Sequence, residues 1–260
     1  MPAAAIPAVS ISAQGVDISA MIDETYTGSN FIYFIDNFPT ISAQVSIDES
    51  KLDVNNGITA DSTLGAIGFK LVYGNEDAPS VADIEAMTFV PMASSLTVDP
   101  GNRAAQEGSY KVYAVNRRNR TYGISDVSNS LHFSRVAPGI TNIDVVGLVD
   151  DEEILLIDNG DPTGNAITMS SAATEPYRFE VSINEIPNIN LLNADDLIIE
   201  VSAYEDNDTE GNDPISAEKQ GNKYVFELNK DSGVYQVKIV TRYHGTKVES
   251  VSSKFTVGLV

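Results

Sequence analysis

Apolar and polar residues alternate with a period of two along most of this chain. That is the pattern of β-strands with one face on a core. In residues 108–133, GSYKVYAVNRRNRTYGISDVSNSLHF, Tyr110, Val112 and Ala114 fall on one face and Lys111, Tyr113 and Val115 on the other. In residues 233–255, GVYQVKIVTRYHGTKVESVSSKF, Tyr235, Val237 and Ile239 alternate with Gln236 and Lys238. A glycine, Gly108 or Gly233, opens each run, and a loop and second strand follow. Each stretch therefore predicts a β-hairpin with a medium-length loop.

The same reading predicts strands over 8–12, 31–35, 41–47, 68–73, 95–98, 110–116 and 125–133. A second series covers 141–146, 154–157, 177–183, 197–203, 223–228, 234–243 and 248–257. Helix signals are few. The best is residues 79–87, where Ser80 is placed to cap a short helix and Asp83 falls three residues on, in the first turn.

The hairpins are not the only repetition. Val45-Ser46-Ile47-Asp48-Glu49 echoes Val181-Ser182-Ile183-Asn184-Glu185. Phe34-Ile35-Asp36-Asn37 echoes Leu156-Ile157-Asp158-Asn159, and Met21-Ile22-Asp23-Glu24 echoes Leu148-Val149-Asp150-Asp151. The order is conserved between the halves, which predicts a duplicated unit. The turn signal Ala137-Pro138-Gly139 marks the boundary. The expected division is residues 1–12 as an N-terminal arm or first strand, 13–137 as the first domain and 138–260 as the second.

Short strands at regular spacing predict β-sandwiches. The run Gly108-Ser109-Tyr110-Lys111-Val112-Tyr113-Ala114-Val115-Asn116, with its Ser-rich closing strand, resembles the F–G hairpin of fibronectin type III and related immunoglobulin-like modules. Phe69-Lys70-Leu71-Val72-Tyr73 looks like strand C of that fold. The resemblance implies an all-β chain of two tandem immunoglobulin-like sandwiches with a short N-terminal arm. It further implies that Tyr110 and Tyr235 form tyrosine corners, in which the phenol bonds back to the backbone. The chain departs from the pattern in having no tryptophan and in repeats about 30 residues longer than the roughly 100 of a standard module. The resemblance implies no chemistry.

Charge narrows the partners. The formal net charge is −21, with 15 acidic and 8 basic residues in 1–137 against 22 and 8 in 138–260. Such a surface repels phosphate backbones and anionic lipid, so neither nucleic acid nor membrane is an expected partner. The absence of cysteine removes disulfides, thiolate metal sites and cysteine nucleophiles. His132 and His244 are the only histidines, and neither sits in a recognisable nucleophile or metal motif. No catalytic residue is assigned and the chain is expected not to be an enzyme.

Two stretches carry candidate binding chemistry. Arg117, Arg118, Arg120 and Tyr122 form a dense basic cluster in the first hairpin, and Arg242 and Tyr243 hold the corresponding place in the second. Arginine beside tyrosine is a common interface composition, and the hairpin loops of sandwiches are where partners bind. Asp206, Asp208, Glu210 and Asp213 imitate the opening of a calcium loop, but Ala217 stands where the closing glutamate belongs. Calcium is thus a weak cofactor candidate.

These features favour a structural or accessory protein of a virion, such as a tailed-phage capsid or tail component. It would be made in the host cytoplasm without a leader and bind other subunits through its N-terminal arm and hairpin loops. The alternatives are a calcium-stiffened bacterial surface adhesin or a carbohydrate-binding accessory module.

Overall fold

The computed structural model describes residues 3–59, 64–91, 95–98, 106–150, 152–170, 172, 176–206, 214–229 and 232–259. The chain divides into two compact units. The first comprises Met1–Ile18 and Ser29–Arg135, the second Ser19–Gly28 and Val136–Val260. The change of unit after Arg135 falls beside the Ala137-Pro138-Gly139 turn signal. Residues 19–28, which the sequence reading placed in the first domain, pack with the second unit.

Unit 1 contains β1 (Pro7–Ala13), β2 (Ile32–Phe34), β3 (Ile41–Ile47), β4 (Ala66–Tyr73), α1 (Val81–Ala86), β5 (Val90–Pro91), β6 (Ser95–Val98), β7 (Gly108–Arg118), β8 (Thr121–Ile124) and β9 (Leu131–Arg135). One sheet has the order β1-β3-β6. The other runs β2-β9-β7-β4-β5, with β8 also paired to β7. Unit 2 contains β10 (Ile143–Val149), β11 (Glu152–Asp158), β12 (Asp161–Pro162), β13 (Ala166–Met169), β14 (Tyr177–Ile183), β15 (Ile198–Glu205), β16 (Ile215–Ser216), β17 (Glu218–Gln220), β18 (Lys223–Leu228), β19 (Gly233–Tyr243), β20 (Thr246–Val251) and β21 (Phe255–Leu259). Its sheets run β12-β11-β10-β14-β18-β17 and β13-β21-β19-β15-β16, with β20 on β19.

The two units share one plan. In each, the first strand pairs with the strand that precedes the C-like strand (β1 with β3, β10 with β14), and a short early strand joins the last strand in parallel (β2 with β9, β13 with β21). This separation of A-B-E strands from C-F-G strands is the immunoglobulin-like sandwich. The chain is all-β with two such sandwiches in tandem.

The inward faces of β7 and β19 supply Tyr110, Val112 and Ala114, and Tyr235, Val237 and Ile239, all buried. With no tryptophan available, phenylalanine fills the middle of each sandwich. In unit 1, Phe38 packs 4.5 Å from Phe133 and 5.3 Å from Tyr110 between ring centroids. In unit 2, Phe179 stacks on Phe226 at 5.1 Å, nearly parallel. Such pairs add about 0.5–1.5 kcal/mol to the burial of their area. The tyrosine corner is present at Tyr110, whose hydroxyl donates to the Gln106 carbonyl at 3.0 Å. Gly108 has φ +138°, and a Cβ there would meet the Tyr73 ring at 2.5 Å, so the entry to β7 requires glycine.

The Ser-rich closing strands are split, where one continuous strand was expected in each unit. Serine hydroxyls take over the ladder at the break. Val112 N–H donates to Ser128 Oγ at 2.9 Å and Ala114 N–H to Ser125 Oγ at 2.9 Å, while the serine backbones donate to Val112 and Ala114 carbonyls. Unit 2 repeats the device with Ser252, which accepts from Val237 N–H at 2.8 Å. A buried N–H must find an acceptor, and the short hydroxyl supplies it where the backbone has swung away.

Residues 4–13 form no free arm: Pro7–Ala13 is β1, the first-strand alternative. Ala4 and Ala5 are buried, because Asn116 Nδ2 donates to the Ala5 carbonyl at 2.8 Å and Ala4 N–H donates to Thr121 Oγ1 at 2.8 Å. The predicted helix is present as α1. Ser80 caps it and Asp83 completes a capping box.

Ser128→Ala is expected to leave Val112 N–H unsatisfied in the interior and to lower unfolding free energy by about 1–3 kcal/mol, read by urea denaturation. The Ser80 backbone N–H and hydroxyl, with Lys70, hold the Asp83 carboxyl at about 2, below the ordinary aspartate value of 3.8. Its contribution to α1 is present above pH 3.8 and is lost as pH falls toward 2. Protection of the amides of residues 81–86, taken relative to intrinsic exchange at each pH, is expected to fall over that window and to show no such step in Asp83→Asn.

Candidate protein-interaction sites

The hairpin tips are tighter than the sequence suggested. The alternation of β7 continues through the arginines, so Arg117 pairs with Tyr122 and Arg118 with Thr121 in the ladder. Only Asn119 and Arg120 form the turn, with Asn119 at φ +57°. The medium-length loop read from the sequence is thus a two-residue turn. Alternation also divides the basic cluster. Arg117 and Tyr122 share the outer sheet face, whereas Arg118 projects from the opposite one.

The outer face holds a cationic-aromatic platform. Gly68 on β4 leaves room for Met87 and Phe89, which cross above it; a Cβ would meet Met87 Sδ at 2.3 Å. The Arg117 guanidinium lies 4.2 Å from the centroid of Phe89, and Phe89 lies 6.4 Å from Tyr122. Tyr122 is 47% exposed, and Arg117 and Arg120 are exposed. Among the described residues, no carboxylate lies within ion-pair distance of Arg117, Arg118 or Arg120. Phe89 was not singled out from the sequence. Its place depends on a chain crossing that the residues around it do not announce.

The second hairpin is different. His244 and Gly245 form its turn, at φ +43° and +87°, as a type I′ hairpin requires. Tyr243 is 1% exposed and points inward, where its hydroxyl accepts from Asn193 N–H at 3.0 Å. His244 packs on the Tyr243 ring, with Nε2 3.2 Å from Asp196 Oδ2. Arg242 lies on the outer face, and its Nη1 donates to Asp23 Oδ1 at 2.8 Å while Nε lies 3.4 Å from Glu200. Asp23 is 8% exposed. Burial opposes its ionisation, but hydrogen bonds from Thr25 and the charge of Arg242 outweigh it, so its pKa is lowered. Thr25 donates to the same carboxylate through both its backbone N–H and its hydroxyl.

The segment carrying Asp23 is joined to this tip by backbone as well. Ile22 bridges Thr246, Asp23 N–H donates to the Gly245 carbonyl at 3.0 Å and Lys247 N–H to the Met21 carbonyl at 2.7 Å. Arginine-carrying hairpins that look alike in sequence therefore stand in different states. That of unit 1 is exposed and unpaired, and that of unit 2 is engaged within its own unit.

Arg242 lines a groove of about 840 Å³ together with Tyr204 of β15, Lys238 of β19, Glu249 of β20 and Tyr224 of β18. Its Lys238 and Glu249 are paired at 2.7 Å, and Lys247 lies 3.0 Å from the same carboxylate. Of the calcium candidates, Asp208, Glu210 and Asp213 lie outside the described residues. Asp206 lies 2.7 Å from Lys254 Nζ. Among the described residues no group of three or more histidine and acidic side chains is arranged to hold a metal. His132 is exposed on β9, opposite Ser109.

No protein-family model matches the chain, and no curated protein matches it in sequence. Among solved structures it is similar to the FN1–FN3 domains of chicken CNTN1, at 10% identity and TM-score 0.31, covering 95% of this chain and 66% of that one. It is also similar to a two-domain fibronectin type III segment of chicken tenascin, at 12% identity and TM-score 0.36, covering 90% of this chain and 99% of that one. The fold assignment rests on the strand order described above.

Asp23→Ala leaves Arg242 with Glu200 alone and is expected to destabilise unit 2 by about 1–3 kcal/mol, read by denaturant unfolding. Because the folded pKa of Asp23 is depressed, its contribution is present above the ordinary aspartate value of 3.8 and is lost as pH falls below it. The difference in melting temperature between wild type and Asp23→Asn is expected to be largest near neutral pH and to shrink below pH 4.

Proposed function

We propose that the chain is a non-enzymatic interaction protein and serves as a structural or accessory subunit of a macromolecular assembly, such as the capsid or tail of a tailed-phage virion. In this reading it is assembled in the host cytoplasm and displayed on the particle surface. Tandem immunoglobulin-like sandwiches commonly bind other proteins through their hairpins and sheet faces.

The observation that carries the reading is the unit 1 platform. Arg117, the exposed Tyr122 and Phe89 form it on the outer face of one hairpin, with Arg120 at the turn and Arg118 on the opposite face, in a molecule whose net charge is −21. Exposed guanidinium groups without internal carboxylates are matched by an acidic partner surface, and the neighbouring rings add area that holds its shape on binding. The high negative charge elsewhere keeps the free subunit soluble and disfavours unselective association. The absence of cysteine fits assembly in a reducing compartment.

The test is immunogold labelling of particles purified from the cells that make the protein, using an antibody to this chain. Labelling of assembled particles is expected, and its absence overturns the virion reading. Arg117→Ala/Arg118→Ala/Arg120→Ala is expected to change stability by less than about 1 kcal/mol, since these side chains have no internal ion pairs. The same variant is expected to lose particle labelling at least tenfold. Unchanged labelling would remove the platform as the docking surface.

A further inference from the structure

We propose that the tip of the β19–β20 hairpin is a docking site for a short turn-forming segment that bears an aspartate and pairs through one bridge residue. Ser19–Gly28 is its resident occupant, and the same segment of a second copy of the chain takes its place, so that copies associate by segment exchange. The inference is independent of the arginine platform of unit 1.

The contact has the form of peptide recognition. The segment adds to the hairpin by backbone pairing at Ile22 and Thr246, flanked by the Asp23–Gly245 and Met21–Lys247 hydrogen bonds. One side chain then fixes the register: Asp23 reaches Arg242 at 2.8 Å and is braced by Thr25. Little apolar surface holds the rest, since Ile22 is 53% exposed and Tyr26 is also exposed. On both sides the segment continues into residues of the other compact unit, so it is not part of any continuous strand of unit 2.

These features make departure easy and replacement selective. When the segment leaves, Arg242 loses its nearest carboxylate, and the Gly245 carbonyl and Lys247 N–H lose their partners. Only a ligand with backbone groups and a carboxylate at the same spacing satisfies all three. A second copy carries that spacing by identity. The resident segment wins in dilute solution, because belonging to the same chain gives it an effective concentration on the order of millimolar. Exchange prevails where copies are held close together.

The chain has no native cysteine, so introduced thiols report without background. Ile22 and Thr246 form the closer, non-hydrogen-bonded type of antiparallel pair, with Cα atoms about 4.5 Å apart, a distance a disulfide spans. An Ile22→Cys chain and a Thr246→Cys chain, mixed at high concentration under mild oxidation, are expected to form a disulfide heterodimer. Its rate should be at least tenfold that of Ile22→Cys mixed with Glu85→Cys, an exposed position on α1. The product is expected to disappear when the Thr246→Cys chain also carries Arg242→Met. A rate no faster than the control overturns the proposal, even if an Ile22→Cys/Thr246→Cys double variant closes within one chain.

Thr246 is buried, and its hydroxyl accepts from Ala137 N–H at 2.7 Å. If Thr246→Cys fails to fold, a fluorescent synthetic peptide of residues 17–28 decides instead. It is expected to bind the full-length Asp23→Ala chain at least tenfold more tightly than the wild-type chain, and a peptide with the same Asp23→Ala change is expected not to bind. Equal binding to both chains, or binding to neither, overturns the proposal.

Discussion

Each unit depends on one long strand that must satisfy two neighbours while keeping a single face on the core. β7 and β19 are eleven residues each, and both pair with a C-like strand on one side and a closing strand on the other. A slip of one residue would send Tyr110, Val112 and Ala114 to solvent and turn lysine and glutamine inward. Register is therefore fixed by burial, and the remaining elements arrange themselves around it. The serine hydroxyls at 125, 128 and 252 follow from this constraint. The closing strand bends away, but the central strand cannot move to follow, so a side chain must accept its N–H.

The same constraint explains what could be read without coordinates. Periodicity located β3, β6, β14 and β18 at their observed limits and placed β7 and β19 within two residues, because those strands alternate cleanly. The capped helix at Ser80 was legible because its cap is a local interaction. Two of the internal echoes also correspond in space: residues 45–47 and 181–183 lie on β3 and β14, and the hairpin strands lie on β7 and β19. The other two do not. Phe34 lies on β2, whereas Leu156 lies on β11, and Ile22 pairs with Thr246, whereas Val149 ends β10. Short apolar-acidic words recur by chance in an acidic β protein. Only those anchored in the central ladder reported real equivalence.

The candidate sites were less legible. Arginine and tyrosine in the two hairpins look interchangeable as letters, yet one set is exposed and the other is held by Asp23, Glu200 and Asn193. Nothing local to Arg242 names a carboxylate 219 positions earlier. The place of Phe89 is illegible for a similar reason: it depends on Gly68, which clears a path across the sheet. Where a side chain lies follows from its strand's alternation, but whether it is free follows from contacts between distant segments.

That separation along the chain has a consequence for biosynthesis. Residues 19–28 leave the ribosome more than 200 residues ahead of Arg242 and Thr246. At about 5–20 residues per second the early segment waits roughly 10–45 s before its seat exists. Unit 1 has all its strands by residue 135 and is able to close first. The seating of Asp23 must then wait for the β19–β20 hairpin, and until it occurs the hairpin presents an unmated strand edge to chains alongside it.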